Sequence, residues 1–125
     1  MADDKINILL VDDQPAKLLS YEVILRDLGE NLIKASSAKE AFEQLLKTEI
    51  GIVLMDIMMP EMDGYRTMQV IRANPTLRRL PIIALTAKAM KGDREKCLEA
   101  GASDYLAKPV NTEQLLSALR MWLHR

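Results

Sequence analysis

The chain has 125 residues, 49% hydrophobic but only 4% aromatic, with a formal net charge of -1 at pH 7. A domain of this size buries roughly two-thirds of its unfolded surface, so residues 1–125 read as one domain with an aliphatic core. Interspersed acids and bases argue against the basic face of a nucleic-acid-binding domain.

The start, Met1-Ala2-Asp3-Asp4-Lys5, is acidic and runs straight into a strand, unlike a secretory leader. Ile6-Asn7-Ile8-Leu9-Leu10-Val11 is that strand, and it ends on Asp12-Asp13. Pro15 suits the first turn of a helix, where its missing N–H is not needed. Leu18, Tyr21, Ile24, Leu25 and Leu28 then recur at helical spacing, with Lys17, Ser20, Glu22 and Arg26 between them. Gly29 suits the C′ position of that helix.

Leu32-Ile33-Lys34-Ala35 reads as a second strand, and Ser37-Ala38-Lys39-Glu40 has capping-box form. Ala38, Ala41, Phe42 and Leu45 make the apolar face of the second helix. The run Gly51-Ile52-Val53-Leu54-Met55-Asp56 is unbroken and apolar until it meets a carboxylate. Such a run reads as a strand buried on both faces, as in a parallel sheet. Asp63 can cap a third helix over Tyr65, Met68 and Ile71, which ends before Asn74-Pro75.

Pro81 introduces a fourth strand, Ile82-Ile83-Ala84-Leu85, ending on Thr86. A weakly amphipathic helix near Met90 to Glu99 stops at Gly101 and carries Cys97, the one cysteine, which excludes a disulfide framework. Asp104-Tyr105-Leu106-Ala107 is a fifth strand ending on Lys108-Pro109. Asn111 caps a last helix with Leu115, Leu116, Leu119, Trp122 and Leu123 as its apolar stripe. No apolar run approaches the ~18 residues a membrane span needs. A cytoplasmic location is therefore expected, with no membrane or nucleic-acid partner.

Alternating strands and helices imply right-handed βαβ units and an α/β doubly wound parallel sheet. All strand carboxyl ends then lie on one edge, where open α/β sheets place their ligands. Four of the five strands end there on polar residues: Asp12-Asp13, Asp56, Thr86 and Lys108. Crowded carboxylates repel unless a cation balances them, and Mg²⁺ suits, since it binds through one or two carboxylates plus phosphate. A carboxylate can be a nucleophile toward a phosphoryl group. Lysine and metal would neutralise the transferring oxygens, and the Thr86 hydroxyl could donate to them. Each residue has a plainer reading: Asp12-Asp13 as helix caps, Asp63-Gly64 as cap and turn, Thr86 as a helix start, Lys108 as a solvated lysine, Tyr105 as packing. The joint pattern favours a site.

The whole chain resembles the receiver domain of two-component response regulators. The likeness lies in Ile8-Leu9-Leu10-Val11-Asp12-Asp13, in Met55 to Gly64, in Ile82 to Ala87 and in Gly101 to Pro109, four segments in order at the family's spacing. It implies a flavodoxin-like five-stranded sheet of order 2-1-3-4-5 with five helices and no effector domain. It implies that Asp56 accepts a phosphoryl group from a histidine kinase or histidine phosphotransfer protein. Asp13, Asp56 and the Met58 backbone carbonyl would ligate Mg²⁺, with Mn²⁺ able to substitute, and Asp12 would act through a metal-bound water. Lys108, in a cis Lys108-Pro109 pair, would hold the phosphoryl group together with Thr86 and the small Ala87. Thr86 and Tyr105 would switch the face of helix 4, strand 5 and helix 5 toward a downstream protein. Met58 and Lys88 would tune phosphoryl lifetime, and Gln14, Ala16, Lys17 and Ser20 would guide partner choice. The run Ala87 to Ala100 looks like receivers of hybrid histidine kinases.

Three rivals are weaker. An aspartate-nucleophile phosphatase resembles its relatives in having a second Asp two residues on, where this chain has Met58. A pseudo-receiver acting only as an interaction module typically lacks a pocket acid or the lysine, and Asp12, Asp13, Asp56, Thr86 and Lys108 are all present. A nucleotide-binding domain would show a glycine-rich loop after the first strand.

Overall fold

The computed structural model describes residues 5–56, 58–59, 62–86, 93–107 and 111–123. Its centre is a parallel sheet of β1 (Asn7–Val11), β2 (Asn31–Ala35), β3 (Ile52–Asp56), β4 (Ile82–Thr86) and β5 (Asp104–Ala107), in the order β2-β1-β3-β4-β5. Every residue of β3 and of β4 is buried. That is why both read as uninterrupted apolar runs, since strands covered on two faces need no polar alternation. The edge strands β2 and β5 are only partly buried.

Successive side chains alternate across the sheet, and each face has its own core. Leu9, Val11, Val53, Met55, Ile82 and Ala84 pack with Ala41 and Leu45 of α2 (Ala38–Lys47), Met68 and Ile71 of α3 (Gly64–Ala73), and Cys97 and Ala100 of α4 (Asp93–Ala100). Ile8, Leu10, Ile52, Leu54, Ile83 and Leu85 pack with Leu18 and Leu25 of α1 (Pro15–Leu25) and Leu115, Leu116 and Leu119 of α5 (Thr112–Leu123). Two helices on one face and three on the other make the doubly wound, flavodoxin-like arrangement.

The helix ends follow their sequence signals, with small departures. Ser37 Oγ accepts from the Glu40 N–H at 3.1 Å, but the Glu40 carboxylate reaches Ser36 N and Oγ instead of completing the box on Ser37. Asn111 Oδ1 accepts from Glu113 N at 2.8 Å and Gln114 N at 3.3 Å. α1 stops at Leu25, and Arg26–Leu28 tighten into a 3₁₀ turn before Gly29, whose φ of 71° needs glycine's freedom. Between β3 and α3, Met58–Met59 pair antiparallel with Met62–Asp63, a two-residue ladder too short to leave any periodicity in sequence. The expected beginning of the fourth helix at Met90 lies outside the described residues, and α4 is described from Asp93. No helix among the described residues is long and apolar enough to cross a membrane.

Candidate functional site

Strand register decides which carboxyl ends meet. Val11 of β1 pairs with Met55 of β3, so Asp12 and Asp56 are the next residues along two neighbouring strands. Asp56 in turn pairs with Leu85, which puts Thr86 one step beyond it on β4. Four polar residues are buried among the described residues, and three of them are Asp12, Asp56 and Thr86 at this edge. Asp56 is 1% exposed and Asp12 fully buried, although carboxylates are almost never buried unless paired. Asp13 is half-buried beside them.

Asp12 is not the N-cap of α1, a position Gln14 holds with no side-chain cap bond, but it braces the turn just before that helix. Its Oδ1 accepts from the Gln14 N–H at 2.9 Å, fixing the turn from which α1 departs, while the residue itself sits at the acidic edge. α1 then brings two side chains to that edge whose part in the site the sequence did not disclose. Lys17 Nζ lies 3.8 Å from Asp56 Oδ2, beyond hydrogen-bond length but within an ion pair. One turn later, half-buried Tyr21 has its hydroxyl pKa pushed up to about 12, first by burial and then by the negative charges of Asp12 and Asp56. The signal for both is their i, i+4 spacing just after Asp12-Asp13. That spacing becomes informative only once β3 is known to lie beside β1.

Tyr105 is half-buried on β5 and packs against the core beneath α2, α3 and α4. It also lines a shallow groove with Leu106, Ala107, Glu113, Gln114 and Ser117, between β5 and α5. Met58 lies on the short ladder after β3, paired with Asp63. Ala87, Lys88, Lys108 and Pro109 lie outside the described residues, as do the side chains of Met58 and Asp63.

The donors at this edge are hard oxygens, two of them buried carboxylates on adjacent strand ends, the chemistry an oxygen-seeking divalent ion takes. They are not gathered into a ready cage. Among the described residues no three His, Cys, Asp or Glu side chains are arranged to hold a metal. Asp12 is engaged with the Gln14 N–H, and Asp56 faces an ammonium. A magnesium-type site, which keeps several waters and uses one or two protein carboxylates, fits this set without a cage.

Residues 8–120 match the family described as the response regulator receiver domain. The chain belongs to that family. The receiver domain is 41% identical over 114 residues to the signal transduction histidine-protein kinase BarA of Shigella flexneri, covering 91% of this chain but 12% of that protein. It is 36% identical over 123 residues to the response regulator Rre1 of Synechocystis, covering 98% of this chain and 53% of Rre1. The chain thus spans only a small part of the kinases it matches and about half of Rre1. Among solved structures, a putative response regulator of Chloroflexus aurantiacus superposes with a TM-score of 0.91 at 33% identity, covering 98% of this chain and all of the other. The receiver domain of a sensor histidine kinase of Pseudomonas aeruginosa, with a magnesium ion coordinated in its active-site cleft, gives 0.87 at 40% identity, covering 98% and 100%. This is a two-component signalling domain, of a family that works with histidine kinases or phosphotransfer proteins.

Proposed function

We propose that this receiver domain accepts a phosphoryl group on Asp56 from a phosphohistidine and uses it to switch a protein-binding face. The observation that carries the reading is the burial of Asp56 at the carboxyl end of the central strand, in register between Asp12 and Thr86. An Asp56 oxygen attacks phosphorus, the P–N bond to the donor imidazole breaks, and the imidazole nitrogen leaves with the electron pair. Asp13, Asp56 and the Met58 carbonyl are the residues that would hold Mg²⁺, with Asp12 reaching it through a metal-bound water. When bound, that ion supplies charge neutralisation on the transferring oxygens. Lys108 and Thr86, with the Ala87 backbone, take the remaining phosphoryl oxygens.

The aspartyl phosphate adds charge and acceptor oxygens at one edge of the sheet. Thr86 on β4 pairs with Ala107 on β5, two residues after Tyr105. A movement of Thr86 toward the phosphoryl group therefore reaches the groove lined by Tyr105, Glu113 and Ser117. That groove and α4 form the output surface for a downstream protein in the cytoplasm, with neither nucleic acid nor membrane as partner. To carry the domain from 1:99 to 99:1, phosphorylation must favour the active state by about 5.5 kcal/mol.

Intact mass after incubation with acetyl phosphate and Mg²⁺ tests the reading. One phosphoryl group is expected on the wild type, labile to hydroxylamine, and none on Asp56→Asn or without Mg²⁺. An unmodified wild type that also refuses a phosphorylated histidine phosphotransfer donor would make the chain a pseudo-receiver, acting through interactions alone. Phosphate release without a protein adduct would instead favour the phosphatase reading.

A further inference from the structure

Lys17 is a cation in the first turn of α1, where the helix dipole disfavours positive charge and where the helix carries no acid. Something must offset that, and the near neighbour of its ammonium is the Asp56 carboxylate at 3.8 Å. The two partners are unequal: the lysine side chain is 39% exposed and the aspartate side chain 1%. The start of α1 is also fixed on the acidic edge itself. Gln14 N donates to Asp12 Oδ1 at 2.9 Å, and Lys17 N donates to Gln14 O at 3.0 Å. The lysine stem is thereby launched from a turn that one of the pocket acids holds. Tyr21, one turn on, is half-buried on the same stripe of α1, and the charges of Asp12 and Asp56 add to burial in pushing its hydroxyl pKa up. The second ion pair of the helix, Glu22 with Lys34, is by contrast an exposed pair on the surface.

We propose that Lys17 is a resting counter-ion of Asp56, a positioning residue whose ammonium a divalent cation must push aside to bind. The inference rests on the reading of Asp56 as phosphoacceptor and metal ligand. A lysine suits the task because its flexible stem lets the ammonium swing into water as the ion enters. At 3.8 Å the pair is electrostatic, with no hydrogen bond between the two groups, so the ammonium can leave without breaking one. With the metal absent, the Lys17 ammonium offsets negative charge at the buried Asp56 carboxylate. With the metal present, its positive charge opposes the ion across a few ångströms. The domain would thus reach its loaded state only above a threshold of divalent cation that Lys17 sets.

Mg²⁺ titration by calorimetry, on the wild type, Lys17→Met, Lys17→Arg and Asp56→Asn, separates the possibilities. Lys17→Met should bind Mg²⁺ more tightly by roughly three- to tenfold, the effect of removing one partly solvated like charge near the ion. Lys17→Arg should stay within about twofold of the wild type, because it keeps the charge. An unchanged or weakened affinity in Lys17→Met overturns the counter-ion role while leaving Asp56 as a ligand. Mg²⁺ binding that is absent from every protein, or that survives Asp56→Asn undiminished, overturns the metal reading and the counter-ion role together. Unfolding midpoints of the four proteins establish that each is folded at the temperature of titration.

Discussion

The Arg72 guanidinium donates to the carbonyl oxygens of Leu77, Arg78 and Gly101 and to Ser103 Oγ at 2.8 to 3.3 Å, whereas the Asp56 carboxylate meets the Lys17 ammonium at 3.8 Å. Both charges are withdrawn from water, yet they are held by different means. Arg72 grips neutral oxygens of the scaffold, with its directional donors filling fixed positions. It ties α3 to the turn at Pro75–Leu77 and to the connection between α4 and β5. Ser103 extends the tie, because its Oγ also accepts from Ile82 N at the start of β4. The pair at Asp56 has a flexible, half-exposed partner and no short bond between them. A charge fastened to backbone builds the fold, and a charge balanced by a movable side chain leaves room for chemistry.

Breaking the fastened charge should have the largest effect on stability. Arg72→Met removes several charge-assisted hydrogen bonds and leaves carbonyls that water can only partly reach, so a loss of about 3 kcal/mol is expected. Urea unfolding measures it. A loss below about 1 kcal/mol would show that the network merely decorates the surface, by the usual range of surface substitutions. Phosphoryl acceptance by the folded fraction should survive, since Arg72 touches none of the edge residues.

A smaller effect is expected at Gly101, which the same network surrounds. Its φ of 124° is a conformation that side chains avoid, and a Cβ there would stand 2.6 Å from Arg72 Cγ. Gly101→Ala should therefore cost about 1–2 kcal/mol from backbone strain and the displaced arginine. The double variant with Arg72→Ala, which removes the Cγ, should cost less than the sum of the two single changes, because the steric partner is gone. Strict additivity in a double-mutant cycle would place the whole cost in the backbone.

What the sequence disclosed follows the same division. β3 and β4 were legible because a doubly covered strand is an apolar run with no alternation, and Asp56 stood out as the carboxylate that ends one. Ser37 and Asn111 were legible because a cap is a local bond between residues two or three apart. Lys17 was not, since a lysine between apolar helical positions looks solvated until the strand order brings Asp56 under the start of α1. Arg72 was equally silent, because its acceptors lie 5 to 31 residues away in sequence. The short ladder after β3 has two residues a side and no period to find.

The smallest expected effect, the titration of Tyr21, reads the movable side of the comparison most directly. Burial and the charges of Asp12 and Asp56 raise its pKa to about 12 from an ordinary 10.0. The folded chain therefore keeps a proton that the unfolded chain releases above pH 10. The contribution of Tyr21 to stability is fully present below that value and is lost as pH climbs toward about 12. Since burial is the largest cause, Asp56→Asn should lower the pKa only in part, leaving it above the ordinary value. Phosphorylation of Asp56 should raise it, because it adds negative charge where Asp56 already acts. The ring-carbon chemical shift of Tyr21, followed by NMR through the alkaline range in wild type and Asp56→Asn, measures both changes. A pKa near 10 in the wild type would mean that the ring lies in open water and that this stripe of α1 faces away from the acids. A raised pKa indifferent to Asp56→Asn would leave burial as the whole cause and take Tyr21 out of the field of the phosphoacceptor.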